Sequence, residues 1–337
     1  MRRRGVGFIG VGAVAELHRQ ALEGSRAGRL VAVWGPAPSD RERARAWGVR
    51  LHRGPQELVE DPEVEAVFVL SPLETHRELA LLALEAGKPV LVEKPVAASA
   101  AEVLELERRA AELGVPCVPG HNYVYDPALQ RGRRSIAAGE LGRICMTWVV
   151  YVIRHPEELA ARYPGVLQQV VPHHLYTLLY LVGRPRRVVA LGTRPPGRRS
   201  DREDQVALQL EMADGSPAQL FASFATDDET SQPWTFMVKV LGTDGGFVHT
   251  WRDAVVARSI GTHARAYLAY EESFRNQDEH FLARCLEGDA PLSSLRDAYL
   301  AQVVIEAAAR SIASGQVIEP AFEDAGVSTY PPRGEGR

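Results

Sequence analysis

Val6-Gly7-Phe8-Ile9-Gly10-Val11-Gly12-Ala13-Val14-Ala15 is an apolar run that ends on a glycine, reaches a second glycine two residues later and an alanine three after that. Val6 to Ile9 reads as a buried strand and Ala13 to Glu23 as a helix, so the Gly-x-Gly-x-x-Ala pattern falls at a strand-to-helix turn. Gly10 permits the tight turn, Gly12 lets a pyrophosphate approach the backbone, and Ala15 allows the helix to pack closely. The helix-end amides, at Ala13 and Val14, face the negative charge. The bare pattern is weak, and its strand-turn-helix context is what assigns it to a dinucleotide. Arg2-Arg3-Arg4 followed by this run imitates a secretory signal peptide, but the run is short and glycine-rich, and the nucleotide-binding turn explains it better.

The pattern continues outward as alternating strands and helices, the signature of a parallel sheet with crossover helices. Strands are expected at Leu30 to Trp34, Ala66 to Leu70, Val90 to Val92 and Pro116 to Pro119. Helices are expected at Arg41 to Trp47, Gln56 to Val59, His76 to Glu85 and Ala100 to Leu113. After Gly120 the pattern changes. Ala128 to Ala138 reads as a helix, Ile144 to Ile153 as a long strand and Leu175 to Leu181 as an apolar helix. Strands follow at Val188 to Leu191, Gln205 to Glu211, Ala218 to Ala225, Thr235 to Leu241, Gly246 to Trp251 and Ala254 to Arg258, without helices between them, which implies a mainly antiparallel sheet. Asn276 to Glu287 and Leu295 to Ser314 close the chain as helices. The fold expected is α/β: a doubly wound Rossmann domain over 1–121, then an α+β domain with a large open sheet over 122–337.

The length of 337 residues suits two domains with substantial cores. A net charge of -4 argues against a surface built to neutralise nucleic-acid phosphates. Cys117, Cys145 and Cys285 are scattered and odd in number, which disfavours a disulfide framework and a zinc site and fits a reducing, cytoplasmic compartment. No segment has the uninterrupted apolar length of a membrane-spanning helix. No HExxH occurs and His173-His174 are neighbours that would point different ways on a helix, so no metal is expected. Walker and Gly-x-Ser-x-Gly motifs are missing too.

Two further features bear on chemistry. The acidic residue that usually reads the adenosine ribose should end the second strand, about twenty residues beyond the glycines, and Gly35-Pro36 stands there instead. With no carboxylate to repel a 2'-phosphate, and Ser39 and Arg41 just beyond, the sequence leans slightly to NADP over NAD. The second feature is Glu93-Lys94-Pro95, directly after the apolar Pro89 to Val92. Lys88, Lys94 and Lys239 are the only lysines in a chain otherwise served by arginine. A lysine at the end of a buried strand can give up its proton, whereas arginine stays charged.

Together, the Gly10 to Ala15 turn, Ser71-Pro72-Leu73 with His76, Glu85 to Pro95, Gly139 to Arg143 and the Asp297 to Gly315 segment resemble the glucose-fructose oxidoreductase, inositol dehydrogenase and rhizopine-catabolism family, over almost the whole chain. The resemblance implies a Rossmann domain followed by an open-faced sheet domain, with cofactor and substrate between them, and NAD(P)-dependent chemistry on sugars, inositols and related cyclic polyols. It implies that Ser71, Pro72, Leu73 and His76 lie along the nicotinamide half of the cofactor, that Glu93 and Lys94 border the reacting carbon, and that Lys94 stabilises the substrate oxygen. It also implies a homo-oligomer, dimer or tetramer.

The family's second catalytic segment reads D-x-x-x-H, with a further Asp three residues on, before an apolar helix closed by glycine. Counted back from Gly183, His173 falls on the family histidine, an acid or base near neutral pH. A one-residue slip would select His174. Gln169 and Tyr176 replace the two Asp residues, and Gln169 cannot ionise to raise imidazole basicity. Asn122 and Tyr123 match the family's segment after the sixth strand, although Val124 stands where an arginine is frequent. Asn122, Tyr123, Gln169 and Tyr176 are therefore substrate-side candidates, with Arg154, Tyr163 and Trp234 as weaker pocket residues. The function expected is hydride transfer between nicotinamide and a cyclic polyol or its ketone. The alternatives are redox-assisted glycoside hydrolysis or elimination with bound NAD, and a non-catalytic nucleotide-binding regulator.

Overall fold

The structure, a computed structural model, describes residues 2–161, 163–195, 201–226, 235–250 and 262–323. Two compact units emerge: one holds Met1–Tyr125 and Glu271–Tyr299, the other Asp126–Tyr270 and Leu300–Arg337. The border expected between 121 and 122 is a single cut, whereas the chain returns to its first unit near the end.

The first unit is built on strands β1 (Arg4–Ile9), β2 (Gly28–Trp34), β3 (Arg50–Leu51), β4 (Ala66–Val69), β5 (Val90–Glu93) and β6 (Cys117–Gly120), ordered β3-β2-β1-β4-β5-β6 and parallel throughout. Helices α1 (Ala13–Glu23), α2 (Pro38–Trp47), α3 (Pro55–Glu60), α4 (Leu73–Glu85) and α5 (Ala100–Leu113) cross between them. Strands covered on both faces are continuous apolar runs, and β4 and β5 are buried at every residue. Strand order reverses between β1 and β4, the position where doubly wound folds take their ligands, at the carboxyl ends of the strands. The two-residue β3 escaped the sequence because two residues show no periodicity.

Phe8 stacks on Phe68 with ring centroids 5.5 Å apart, and Phe281 sits 5.8 Å from Phe68. Phe281 belongs to α10 (Thr262–Ala283), which begins well before the Asn276 expected; its Glu271 to Ala283 part completes the first unit's core.

In the second unit, α6 (Pro127–Ala137) starts at Asp126, whose carboxylate accepts the Ala128 and Leu129 N–H groups. Strands β7 (Ile144–Val152), β8 (Pro185–Thr193), β9 (Gln205–Met212), β10 (Pro217–Ser223), β11 (Thr235–Gly242) and β12 (Gly246–Thr250) form a sheet ordered β12-β11-β7-β10-β9-β8. It is antiparallel except where β10 runs parallel to β7. Short helices α7 (Glu157–Ala160) and α8 (Val166–Gln169) precede α9 (Val171–Val182), all of whose residues are buried. The apolar helix expected from Leu175 thus starts four residues earlier, because Pro172 is tolerated in a first helical turn. Helix α11 (Leu295–Ser314) runs from the first unit into the second. The strand expected at Ala254 to Arg258, and Trp234 and Trp251, lie outside the described residues. Among the described residues no helix is long and apolar enough to cross a membrane.

A Cβ added at Gly5 in β1 would lie 1.8 Å from the Glu63 carbonyl oxygen, whereas one at Gly54 would meet nothing within 4 Å. Gly5→Ala is expected to cost about 1–3 kcal/mol as an overpacking change, and Gly54→Ala within about 0.5 kcal/mol; urea denaturation of the two variants checks both.

Candidate functional site

The candidate residues of the first unit lie on the loops that leave β1, β4, β5 and β6. After β1, Gly10 holds φ +106, and a Cβ there would lie 2.6 Å from the Leu70 carbonyl and the Ser71 nitrogen. Only glycine lets the β1 and β4 loops approach so closely. Gly12 and Ala13 are exposed, Val14 is half-buried, a Cβ on Gly12 would meet nothing within 4 Å, and no side chain caps α1. That open backbone at a helix start fits a pyrophosphate.

The end of β2 departs from expectation. A Cβ built on Gly35 would lie 2.2 Å from Asp40 Oδ2 and 3.1 Å from Val11 Cγ2. Asp40 is buried and accepts the Ala37 N–H at 2.9 Å, while Ser39 and Arg41 are exposed. The inference that no carboxylate stands here, on which the lean to NADP rested, is therefore incorrect: the carboxylate arrives from α2, five residues downstream, and Gly35 is the residue that leaves room for it.

On the β4 loop, the Ser71 and Thr75 hydroxyls are 2.7 Å apart, Pro72 is exposed and Leu73 half-buried. His76 is buried, with Nδ1 2.7 Å from the Pro95 carbonyl oxygen and Nε2 2.7 Å from the Ser71 carbonyl oxygen. Burial holds its pKa below the ordinary value, against the pull of those carbonyls. Seated between these two carbonyls, His76 bridges the Ser71 loop and the Lys94-Pro95 segment, its neutral ring donating to one of them in either tautomer.

Glu93 ends β5 and is buried; its Oε2 accepts the Lys94 N–H at 2.8 Å. Burial lowers the Lys94 pKa while the Glu93 carboxylate pulls the other way, so the ammonium releases its proton more readily than a solvated one. His121, after β6, was not singled out by sequence. Burial, and secondarily the Lys94 charge, push its pKa down to about 3, so it is a neutral imidazole at working pH.

The buried centre behind this segment is His18, in the middle of α1. Its Nδ1 is 2.9 Å from both carboxylate oxygens of Asp278 on α10, and its Nε2 is 3.4 Å from Glu93 Oε1. Burial alone would push the imidazole down, but the two carboxylates outweigh it and lift the pKa to about 9. His18 was missed because its partners lie 75 and 260 residues away, beyond any local motif.

Other candidates have different surroundings. Asn122 and Tyr123 are buried, and the Asn122 Nδ2 donates to Ser273 Oγ at 2.6 Å, tying the 3-10 turn Asn122–Tyr125 to α10. In the second unit, His173 and His174 lie in the first turns of α9. His174 is fully buried, with Nδ1 2.9 Å from the Val170 carbonyl oxygen and its ring 4.4 Å from Tyr151 and 5.3 Å from Phe236. It is a core histidine. His173 is also buried, Tyr176 is packed in the interior, and Gln169, ending α8, is half-buried. Tyr163 packs against His155 and Phe224, and Arg154 is exposed. Among the described residues no group of three or more His, Cys, Asp or Glu is placed to hold a metal ion.

A raised folded-state pKa means that the His18 charge contributes stability fully below pH 6.5 and loses it as pH rises through about 9. Asp278→Asn is expected to cost about 3 kcal/mol or more, as loss of one partner of a buried pair, and to flatten the decline of stability between those pH values; urea unfolding across pH 6 to 10 measures both.

Residues 4–121 match the family model described as "Oxidoreductase family, NAD-binding Rossmann fold", and residues 129–248 that of the GFO/IDH/MocA C-terminal domain. The chain is 30% identical over 332 residues to inositol 2-dehydrogenase 1 of Saccharopolyspora erythraea, covering 95% of this chain and 97% of the relative. GenD2 from gentamicin A biosynthesis, solved in complex with NAD, is 25% identical with a TM-score of 0.82, covering 96% of this chain and 97% of that one. Scyllo-inositol dehydrogenase of Lactobacillus casei shares the fold, with a TM-score of 0.84 at 16% identity over 95% of this chain and 100% of that one. With both of its domains matched and a relative aligned almost end to end, the chain belongs to the GFO/IDH/MocA family of oxidoreductases with an NAD-binding Rossmann fold.

Proposed function

We propose that the chain is an NAD-dependent dehydrogenase acting on a CH–OH group of an inositol or a related cyclic polyol or sugar, converting it to the ketone or the reverse. The observation that carries this reading is Lys94: a half-buried lysine, its pKa lowered by desolvation, at the carboxyl end of β5, on the same end of the parallel sheet as the Gly10 turn. The identity to an inositol 2-dehydrogenase supports the substrate class. When bound, NAD supplies the hydride acceptor.

Lys94 would hydrogen-bond the reacting oxygen and stabilise its negative charge, an effect strengthened where water is excluded. Glu93 and His76 hold the segment on which it sits. His173 is the acid or base we assign to the second unit, on the family resemblance, working without the carboxylate that Gln169 replaces. A regulator that only binds the nucleotide is favoured by Gln169 and by the interior packing of Tyr176, but it leaves the Lys94 environment without a purpose.

A homo-oligomer, dimer or tetramer, is part of the same reading. Phe221, Val150 and Met237 are paired across β10, β7 and β11 on the side of the sheet opposite the buried residues, with Phe221 37% exposed. Such an apolar row suits burial against a second copy.

In a screen of inositols and sugars, wild type is expected to form NADH stoichiometrically with ketone, and Lys94→Ala and His173→Asn each to lose about 10²-fold or more of kcat while NADH fluorescence titration shows unchanged affinity. Undiminished turnover would remove the role of the residue concerned, and turnover without net NADH would transfer the reading to redox-assisted elimination. Size exclusion with light scattering is expected to return a dimer or tetramer that Phe221→Glu dissociates.

A further inference from the structure

The β2 end offers a carboxylate in an unusual delivery. Gly35 follows β2 directly, and the space its side chain would fill is occupied by Asp40, whose Oδ2 and Cγ lie 2.2 and 2.8 Å from a Cβ built there. The link between them, Gly35-Pro36-Ala37-Pro38-Ser39, has two prolines that restrict its backbone. Asp40 closes it into a ring through the Ala37 N–H. One carboxylate oxygen is spent there; Oδ1 accepts no hydrogen bond from the described residues. The same spot borders Val11, the residue between the two glycines of the nucleotide turn, and Arg43, one helical turn after Asp40's neighbour Ser39, donates to the Val11 carbonyl. The carboxylate is thus locked to the edge of the nucleotide turn from outside the strand.

We propose that Asp40 is the specificity-determining residue that selects NAD over NADP, accepting a hydrogen bond from the adenosine ribose at the end of β2 in place of the strand-end acid this chain lacks. The inference rests on the dinucleotide reading of the Gly10 turn. An oxygen fixed beside the ribose accepts a 2'-hydroxyl proton, whereas a 2'-phosphate there meets like charge at short range. Arg43 is the cation facing this corner, and its engagement with the Val11 carbonyl leaves it holding the turn. Arg41 and Ser39 are exposed on α2. Gly35 then has a reason of its own, since any side chain there would collide with the residue that does the reading.

Fluorescence titration with NADH and NADPH tests this without turnover. Wild type is expected to bind NADH at least about 50-fold tighter than NADPH. Asp40→Asn, whose amide oxygen still accepts the Ala37 N–H, is expected to bring the ratio within about 5-fold. Gly35→Asp combined with Asp40→Ala returns a carboxylate to the strand end in the space vacated by residue 40, and is expected to restore the preference for NADH. A wild type with no preference, or an Asp40→Asn variant that keeps the wild-type ratio, would overturn the role of Asp40 while leaving the dehydrogenase reading standing. A wild type that binds neither nucleotide would overturn both. Thermal unfolding of each variant confirms that the ratio is read on folded protein, and if Asp40→Asn does not fold, the double variant's ratio decides.

Discussion

A charged imidazole with no access to water holds the nucleotide-binding unit together. His18 sits between Asp278 and Glu93 with aromatic rings around it, Phe68 5.3 Å and Phe274 5.0 Å away. Such a charge is tolerated only when hydrogen-bonded and paired. The pairing therefore fixes three elements at once: α1, which carries the nucleotide turn at its start, β5, which ends in Glu93, and α10, which arrives from late in the chain. Glu93 passes the constraint on by accepting the Lys94 amide with its other oxygen. The Lys94 backbone is thus anchored to a network whose charges lie behind it.

Histidine serves three separate purposes in this unit, separated by surroundings alone. His18 is held charged by two carboxylates, His76 is drawn between two carbonyls, and His121 is neutral beside a lysine. None of this is visible in residue type. It follows from which partner burial leaves available to each ring.

The sequence carried the parallel sheet well because its signals are local: buried strands as short apolar runs, helices with a 3.6-residue period, and glycines where the turn crowds Ser71. The open sheet was legible for the same reason, from alternation and hairpin turns. The candidate site was legible where it coincides with a contiguous motif, as at Gly10 to Gly12 and at Glu93-Lys94-Pro95. It failed where function is assembled across distance. His18 needs Asp278, and the carboxylate at the β2 end was sought at residue 35 when the chain supplies it from residue 40. A place in the chain is not a place in space: the short proline-bearing loop brings the Asp40 carboxylate to the point beside Gly35.

The return of Glu271–Tyr299 to the first unit sets the order of events during synthesis. Domains generally complete themselves from the N-terminus as the chain emerges, but this one cannot. Until α10 leaves the ribosome, Phe68 lacks Phe281 and His18 lacks Asp278, so the nascent nucleotide-binding unit waits with an open seam through most of translation. The greater part of the second unit is made during that pause, its sheet β7 to β12 before the first unit can close, and its last segment, Leu300–Arg337, only afterwards.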